Sequence, residues 1–135
     1  GVLELLLQQR NQEKYHAGGL WTNTCCSHPH PGESVKSSAT RRLKEEMGIK
    51  AELQQVGKFH YVAQFDNGLT ENEIDHVLVG MYENDNNQDI PINRDEVENY
   101  QWMDIKTLEE QLASYPKKYT PWFKAALELA LKSFS

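Results

Sequence analysis

The spacing of apolar residues along the chain predicts its main elements. Residues 3–9 have leucine at positions 3, 5, 6 and 7, so leucines would point to both faces of a strand. This pattern is typical of a strand buried on both faces. Between Ser34 and Gly48 the apolar residues recur at every fourth position, as on one side of an amphipathic helix: Val35, Ala39, Leu43 and Met47. Ser34 is a favourable N-cap and Gly48 stands where a C-terminal glycine belongs, so we predict a helix between them.

The rest of the chain reads as strands followed by helices. We predict a short extended segment at 20–26, one or two strands at 49–65, a strand at 71–82 after the turn signal at 66–68, a short strand at 100–103, and helices at 104–112 and 121–131. Pro121 is placed in the first turn of the last helix. Polar loops are expected at 11–19 and 84–93. This order indicates one mixed α/β domain.

Composition narrows the possible partners. The 135 residues suit a single domain, and a net charge of −6 disfavours a nucleic-acid binder. Residues 1–50 hold seven basic and five acidic side chains, whereas residues 51–135 hold seven basic and fifteen acidic ones. The N-terminal part of the chain therefore has a net positive charge and could bind a small anion. No apolar run long enough to cross a membrane and no secretory pattern is present in the sequence.

The two cysteines, Cys25 and Cys26, are neighbours. A disulfide between them would be strained, because consecutive α-carbons lie only about 3.8 Å apart. We therefore expect a reducing, cytoplasmic location, with the thiols present for reactivity or packing.

Arg42 and Glu46 are four residues apart in the predicted helix, so they share one face. A guanidinium beside a carboxylate suits a magnesium-diphosphate ligand, with Glu46 on the metal and Arg42 on phosphate oxygens. By spacing alone, an ordinary surface ion pair is the more common arrangement.

Cys26 and His28 are separated by one residue, and His30 follows closely. Their spacing is too crowded for a self-contained structural zinc site. A reactive thiol beside a metal-bound imidazole is consistent with it, and so is a buried thiol next to a surface histidine.

Glu71 and Glu73 lie two apart on a predicted strand and therefore point to one face. They are suited to share a divalent cation, although a solvated acidic face fits the same spacing. Arg10 and Lys14 flank a polar loop. Their long cationic side chains could close over a phosphate, or they could simply be solvated at the surface. Trp122 follows a helix-starting proline, where a tryptophan is most often part of the core.

The segment from Glu33 to Ile49 resembles the Nudix box, G-x5-E-x7-R-E-U-x-E-E-x-G-U. The residues in register are Glu33, Arg41, Leu43, Glu45, Glu46, Gly48 and Ile49. Ser27 replaces the leading glycine, and Arg42 replaces a glutamate that Nudix hydrolases use to gather metal. The resemblance therefore implies a Nudix-type α/β/α sandwich with a mixed sheet, and it weakens the expectation of hydrolysis.

Four further strings resemble the type I isopentenyl-diphosphate isomerases, a family with the Nudix fold. They are T-N-T-C-C-S-H-P from Thr22, H-Y-x-A-Q from His60, E-x-E-I-D from Glu71 and T-P-W-F-K from Thr120. They occur in the family's order, and with Arg10 the resemblance spans residues 10–124. It implies an enzyme that interconverts isopentenyl and dimethylallyl diphosphate by protonation and deprotonation through a tertiary carbocation, in isoprenoid biosynthesis.

The resemblance also implies a role for each matching residue. Cys26 and Glu73 are the proton-transfer groups, and Tyr61 hydrogen-bonds nearby. Substrate-binding positions are Arg10, Lys14 and Arg42 for the diphosphate and Trp122 for the hydrocarbon and its cation. His28, Glu71 and Glu73 would hold one divalent metal (Mn2+, Mg2+ or Zn2+), and Glu46 would bind Mg2+ together with the diphosphate.

The family completes its metal site with two histidines upstream of the position aligned with Gly1. We therefore expect a single isomerase domain that lacks an upstream segment, and a chain cut at Gly1 should be inactive or poor in metal. The expected partner is a small isoprenyl diphosphate substrate, and neither a nucleic acid nor a membrane is expected as a partner. We expect the protein to be a monomer or a weak homo-oligomer. The alternatives are a Nudix hydrolase of a diphosphate substrate and a non-catalytic Nudix-like binding domain.

Overall fold

A computed structural model describes residues 3–12, 18–25, 29–64, 68, 70–82 and 89–134, with Glu71 described in its backbone alone. Five strands and three α-helices follow one another along these residues. They are β1 (Glu4–Arg10), β2 (Trp21–Thr22), α1 (Val35–Met47), β3 (Leu53–Gln64), β4 (Thr70–Gly80), β5 (Val97–Asp104), α2 (Ile105–Ser114) and α3 (Phe123–Lys132), with a short 3-10 helix at Pro116–Lys118.

The helix predicted between Ser34 and Gly48 is confirmed together with both of its ends. The Ser34 hydroxyl accepts a hydrogen bond from the Ser37 backbone N–H at 3.1 Å. Gly48 adopts a left-handed conformation with φ of 70°, and its N–H bonds the Lys44 carbonyl. These two caps satisfy backbone groups that the ends of a helix leave unpaired.

Strand β1 lies at the centre of a three-stranded sheet with the order β2-β1-β5, in which both pairings are antiparallel. Leu6 belongs to an apolar core with Leu43 and Met47 of α1. Its neighbour Leu7 belongs to a second core with Leu108 of α2 and Leu127 of α3. Because successive strand residues point to opposite faces, β1 is covered by helices on both sides, which confirms the α/β/α arrangement.

The pairing of the strands differs in detail from one continuous mixed sheet. Strands β3 and β4 form a separate antiparallel pair, and parallel pairing within the described ranges is limited to the bridge between Trp21 and Tyr119. Residues of β1 and β4, which belong to different sheets, line one common cavity.

The structure decides one prediction that was left open and corrects two others. Of the one or two strands predicted at 49–65, one is present, because β4 pairs with it from Leu53 to Gln64 across a bulge near Gln55. The last helix begins at Phe123 instead of Pro121, since the Phe123 N–H closes a turn on the Thr120 carbonyl. The strand placed at 100–103 is longer, because β1 pairs with it back to Val97.

No helix in the described part of the chain combines the length and the apolar character needed to cross a bilayer.

Candidate active site

Trp122 lies at the centre of one group of predicted site residues. Its ring is buried immediately before α3. The Tyr61 ring meets it edge to face, with ring centroids 5.7 Å apart and an interplanar angle of 84°. The Arg10 guanidinium carbon lies 5.4 Å from the ring centroid, within the range of a cation–π contact. The structure therefore brings a cation and two aromatic rings together, from three distant parts of the sequence.

Glu73 joins this group through the pairing of β3 with β4. In the antiparallel register Tyr61 is directly opposite Glu73, so their side chains lie on the same face of the pair. Glu73 is half-buried there. The backbone of Glu71 lies in the same strand, opposite Ala63, which confirms that both glutamates belong to one strand.

A cavity of about 420 Å³ opens between these elements. Arg10, Glu73 and Trp122 line it, together with many apolar side chains of β1, β4 and α1. A cavity that is mainly apolar and carries a few charged groups suits a small ligand with a hydrocarbon body and an anionic end.

Arg42 is the centre of a second group, on α1. One of its terminal nitrogens donates to the Glu46 carboxylate at 2.8 Å and to the Glu96 carboxylate at 2.8 Å. Its other terminal nitrogen donates to Glu45 at 3.1 Å. The Arg42–Glu46 pair predicted from spacing is thus confirmed, and it is more than an isolated surface pair because the Glu46 side chain is only 5% exposed.

The charge on Arg42 is fixed by this environment. Burial by itself lowers the pKa of the Arg42 guanidinium, but attraction to Glu46 and the hydrogen bonds with Glu45 and Glu96 outweigh it, so the pKa is raised. Arg42 therefore remains a cation, and an incoming phosphate would compete with carboxylates for its N–H groups.

Glu33 and Arg41, both in register with the Nudix box, connect the loop before α1 to the helix. Arg41 donates two hydrogen bonds to the Glu33 carboxylate, at 2.9 and 3.1 Å, and a third to Glu45 at 2.7 Å. The hydrogen bond from Arg41, helped by the His30 backbone N–H, lowers the pKa of Glu33 to about 2. These contacts hold the loop against the helix.

Residues 23–25, which lead into Cys26, are attached to β1. The Gln8 side-chain amide donates to the Thr24 carbonyl at 2.8 Å and also contacts the Glu46 carboxylate at 3.4 Å. The Thr24 hydroxyl donates to the Leu6 carbonyl at 2.7 Å. The segment before Cys26 is therefore held in register with the strand that carries Arg10.

Three of the predicted site residues, Lys14, Cys26 and His28, lie outside the described residues, as does the side chain of Glu71. Within the ranges that the structure describes, no three His, Cys, Asp or Glu side chains gather closely enough to hold a metal ion. The ligand set of His28, Glu71 and Glu73 therefore stays a prediction.

Sequence reasoning missed three contributors to these groups: Gln8, Asn23 and Glu96. Asn23 accepts a hydrogen bond from the Trp122 indole nitrogen at 3.2 Å. It stands within the T-N-T-C-C-S-H-P string, which was a signal for it. Gln8 and Glu96 had no such signal, because their partners in α1 are 38 and 54 residues away in sequence.

Comparison with known proteins gives a family match over most of the chain. A model of the NUDIX domain matches residues 3–123. The chain is 47% identical over 122 residues to an isopentenyl-diphosphate Delta-isomerase of Pectobacterium atrosepticum, covering 90% of this chain and 65% of that protein. A protein of the same name from Serratia proteamaculans is 48% identical, with coverage of 88% and 64%. Another, from Photobacterium profundum, is 44% identical, with coverage of 98% and 73%.

The chain thus spans slightly less than two thirds of the length of the first two relatives. Among solved structures, it is similar to the MutT protein from Methanosarcina mazei Go1, with a TM-score of 0.72, 22% identity, and coverage of 98% of this chain and 86% of that one. The NUDIX domain of Shewanella oneidensis NrtR, solved with ADP ribose, gives a TM-score of 0.73 at 15% identity, with coverage of 99% and 79%. At these identities the likeness concerns the fold alone.

Proposed function

Because the chain belongs to the NUDIX domain family, and within it to the isopentenyl-diphosphate Delta-isomerases, we propose that the protein interconverts isopentenyl and dimethylallyl diphosphate. The observation that carries the proposal is the surroundings of Trp122. A buried aromatic ring, a cation on that ring and a carboxylate opposite Tyr61 meet at a largely apolar cavity.

The reaction moves a double bond by one carbon. A proton adds to the terminal methylene carbon, the electron pair of the double bond forms the new C–H bond, and a positive charge develops on the tertiary carbon. Removal of a proton from the adjacent methylene then returns its C–H electron pair as the new double bond. The net change in atoms and charge is zero, so two proton-transfer groups are sufficient.

Cys26 and Glu73 are the proposed proton-transfer groups. Glu73 lies half-buried in the cavity wall, so its carboxyl can reach a ligand that Trp122 also contacts. The face of Trp122 would stabilise the carbocation by cation–π attraction. The Arg10 guanidinium lies 5.4 Å from the centroid of this ring. This contact supports the role, because a cation already approaches the ring in the structure.

Arg10, Arg42 and Lys14 are the proposed diphosphate ligands. Arg42 is held by carboxylates in the structure, so binding would exchange a carboxylate for a phosphate oxygen. Apolar side chains of the cavity would surround the hydrocarbon and exclude water from the carbocation, which water would otherwise trap as an alcohol.

The carboxylates fit divalent metals by their donor chemistry. Glu46 is almost completely buried and presents oxygen, the donor that Mg2+ prefers, beside the diphosphate-binding Arg42. Glu46 would hold Mg2+ with the diphosphate, and Glu73 would hold a second divalent metal with His28 and Glu71. When bound, these ions neutralise negative charge on the diphosphate and the carboxylates.

Product analysis tests the proposal on the protein as its gene encodes it. With isopentenyl diphosphate, Mg2+ and Mn2+, proton NMR should show loss of the terminal methylene (=CH2) signals and growth of two allylic methyl signals. Cys26→Ala and Glu73→Gln should each reduce the rate by at least about 10²-fold, as expected for loss of a general acid or base.

Matched substitutions separate chemistry from stability. Cys25→Ala removes the neighbouring thiol, which packs against the α1 core, and Glu110→Gln removes an exposed carboxylate on α2; both should retain turnover. Release of phosphate or a monophosphate in place of isomer would instead identify a hydrolase. Wild-type rates in Cys26→Ala or Glu73→Gln would contradict the proposed mechanism.

A further inference from the structure

Asn23 makes at least three side-chain hydrogen bonds at the junction of two distant segments. Its Oδ1 accepts from the Trp122 indole N–H at 3.2 Å and from the Thr22 hydroxyl at 2.7 Å. Its Nδ2 donates to the Cys25 carbonyl at 2.7 Å. A single amide group thus connects the Trp122 ring to the Cys25 carbonyl, the group that precedes Cys26 in the chain.

The chemistry of the partners determines which side chain can serve here. An indole N–H only donates and a carbonyl oxygen only accepts, so the side chain between them must offer one acceptor and one donor. An amide does so, whereas a carboxylate lacks the donor and an apolar side chain lacks both. The same partners also fix the orientation of the Asn23 amide.

The segment that contains Asn23 and the turn that contains Trp122 also contact each other through β2, which directly precedes Asn23. The hydroxyls of Thr22 and Thr120 are 2.7 Å apart, and both residues are buried. The Thr120 N–H donates to the Trp21 carbonyl at 2.9 Å. These contacts hold the turn before α3 against β2, and the Asn23 amide extends the attachment to the Trp122 ring.

We infer that Asn23 is a positioning residue that fixes the Trp122 ring against residues 22–25, the segment that leads to Cys26. Under the proposed function, on which the kinetic part of this inference rests, the ring stabilises the carbocation and the thiol transfers a proton. Both act on neighbouring carbon atoms, so their separation has to be correct to within about an ångström. The diphosphate ligands proposed above do not include Asn23, so its loss should act on turnover more than on substrate affinity.

Two substitutions test the two halves of this connection. Asn23→Leu removes the acceptor and the donor, and Asn23→Asp retains the acceptor for the indole but loses the donor to Cys25. In the Leu variant, kcat should fall about 10²-fold with KM changed less than about threefold. In the Asp variant, the Trp122 indole N–H resonance should stay near its wild-type position while kcat still falls. Asn99→Leu, at an exposed position of β5, is the matched control and should retain kcat.

A double-mutant cycle then shows whether Asn23 acts through the ring. In a Trp122→Phe background, which has no indole N–H, Asn23→Leu should reduce kcat by a clearly smaller factor than in the wild type. Equal factors in the two backgrounds would overturn the inference, and so would a wild-type kcat in Asn23→Leu.

A readout independent of turnover separates this inference from the proposed function. With Cys25→Ala as the background, alkylation of Cys26 by iodoacetamide reports on the placement of the thiol. Asn23→Leu should change this rate and shift the indole resonance, with a melting temperature showing that the variant is folded. If the protein does not isomerise, these two measurements still decide the inference: unchanged values overturn it, and changed values support it.

Discussion

At the scale of single residues, the Glu33–Arg41 pair should make stability depend on acid pH. The folded-state pKa of Glu33, about 2, lies below the ordinary value of 4.5, chiefly because Arg41 hydrogen-bonds the charged form. The stabilisation is therefore complete above about pH 4.5 and is lost as the pH falls towards 2. We expect Glu33→Gln to be less stable than the wild type at pH 6, with the difference shrinking between pH 4.5 and 2, as measured by urea unfolding.

Loss of charge alone has to be separated from loss of this pair. Glu109→Gln removes one negative charge from an exposed position of α2 and is the comparison for that purpose. A constant difference between wild type and Glu33→Gln across the acid range would show that the Arg41 contact does not lower the pKa of Glu33.

Whether a contact could be predicted depended on the distance between its partners in sequence. The Arg42–Glu46 pair follows from a spacing of four in a helix, and the structure shows it at 2.8 Å. The third partner of Arg42, Glu96, lies 54 residues away, and Asn23 lies 99 residues from Trp122. These contacts exist only because the fold brings the segments together, and a single sequence carries no local pattern for them.

At the scale of elements, the end of α1 should be sensitive to even a small side chain. Gly48 has φ of +70°, and a Cβ there would lie 2.5 Å from the Pro91 carbonyl oxygen. Gly32 has a similar φ of +82°, with nothing within 4 Å of a Cβ. We expect Gly32→Ala to cost about 1 kcal/mol in unfolding free energy for the left-handed conformation. Gly48→Ala should cost about 1–3 kcal/mol more because of the clash.

Denaturant titration of both variants decides this prediction, since Gly32→Ala isolates the cost of the backbone conformation. Equal losses for the two variants would show that Pro91 moves away without cost. A larger loss in Gly32→Ala would contradict the role assigned to the close contact at Gly48.

The elements themselves were predictable where the signals were local. Both ends of α1 follow from Ser34 and Gly48, whose capping effects act within one helical turn. The sequence left open whether 49–65 forms one strand or two, because the continuity of β3 depends on pairing with β4 along its whole length. The start of α3 was misplaced by two residues because a turn closed by Thr120 competes with the preference of proline for the first helical turn.

At the scale of the molecule, β1 is the element that both cores share. Leu6 packs with α1, and Leu7 packs with α2 and α3 on the opposite face. The strand also carries Gln8 and Arg10 towards the two groups of site residues. The run of leucines predicted a strand buried on both sides, but it did not show which helix covers which face, since that choice depends on chain topology.

This shared strand predicts that the two helical layers unfold together. Leu7 is 1% exposed, so Leu7→Ala should cost about 2–5 kcal/mol through lost burial and a cavity. If β1 couples the two layers, the backbone amides of α1, which covers the face of β1 opposite Leu7, should lose as much protection from hydrogen exchange as those of α2. Leu6→Ala, which truncates the opposite face, should produce the same pattern from the other side. Unchanged protection of α1 in Leu7→Ala would mean that the layers open separately and that β1 does not unite them.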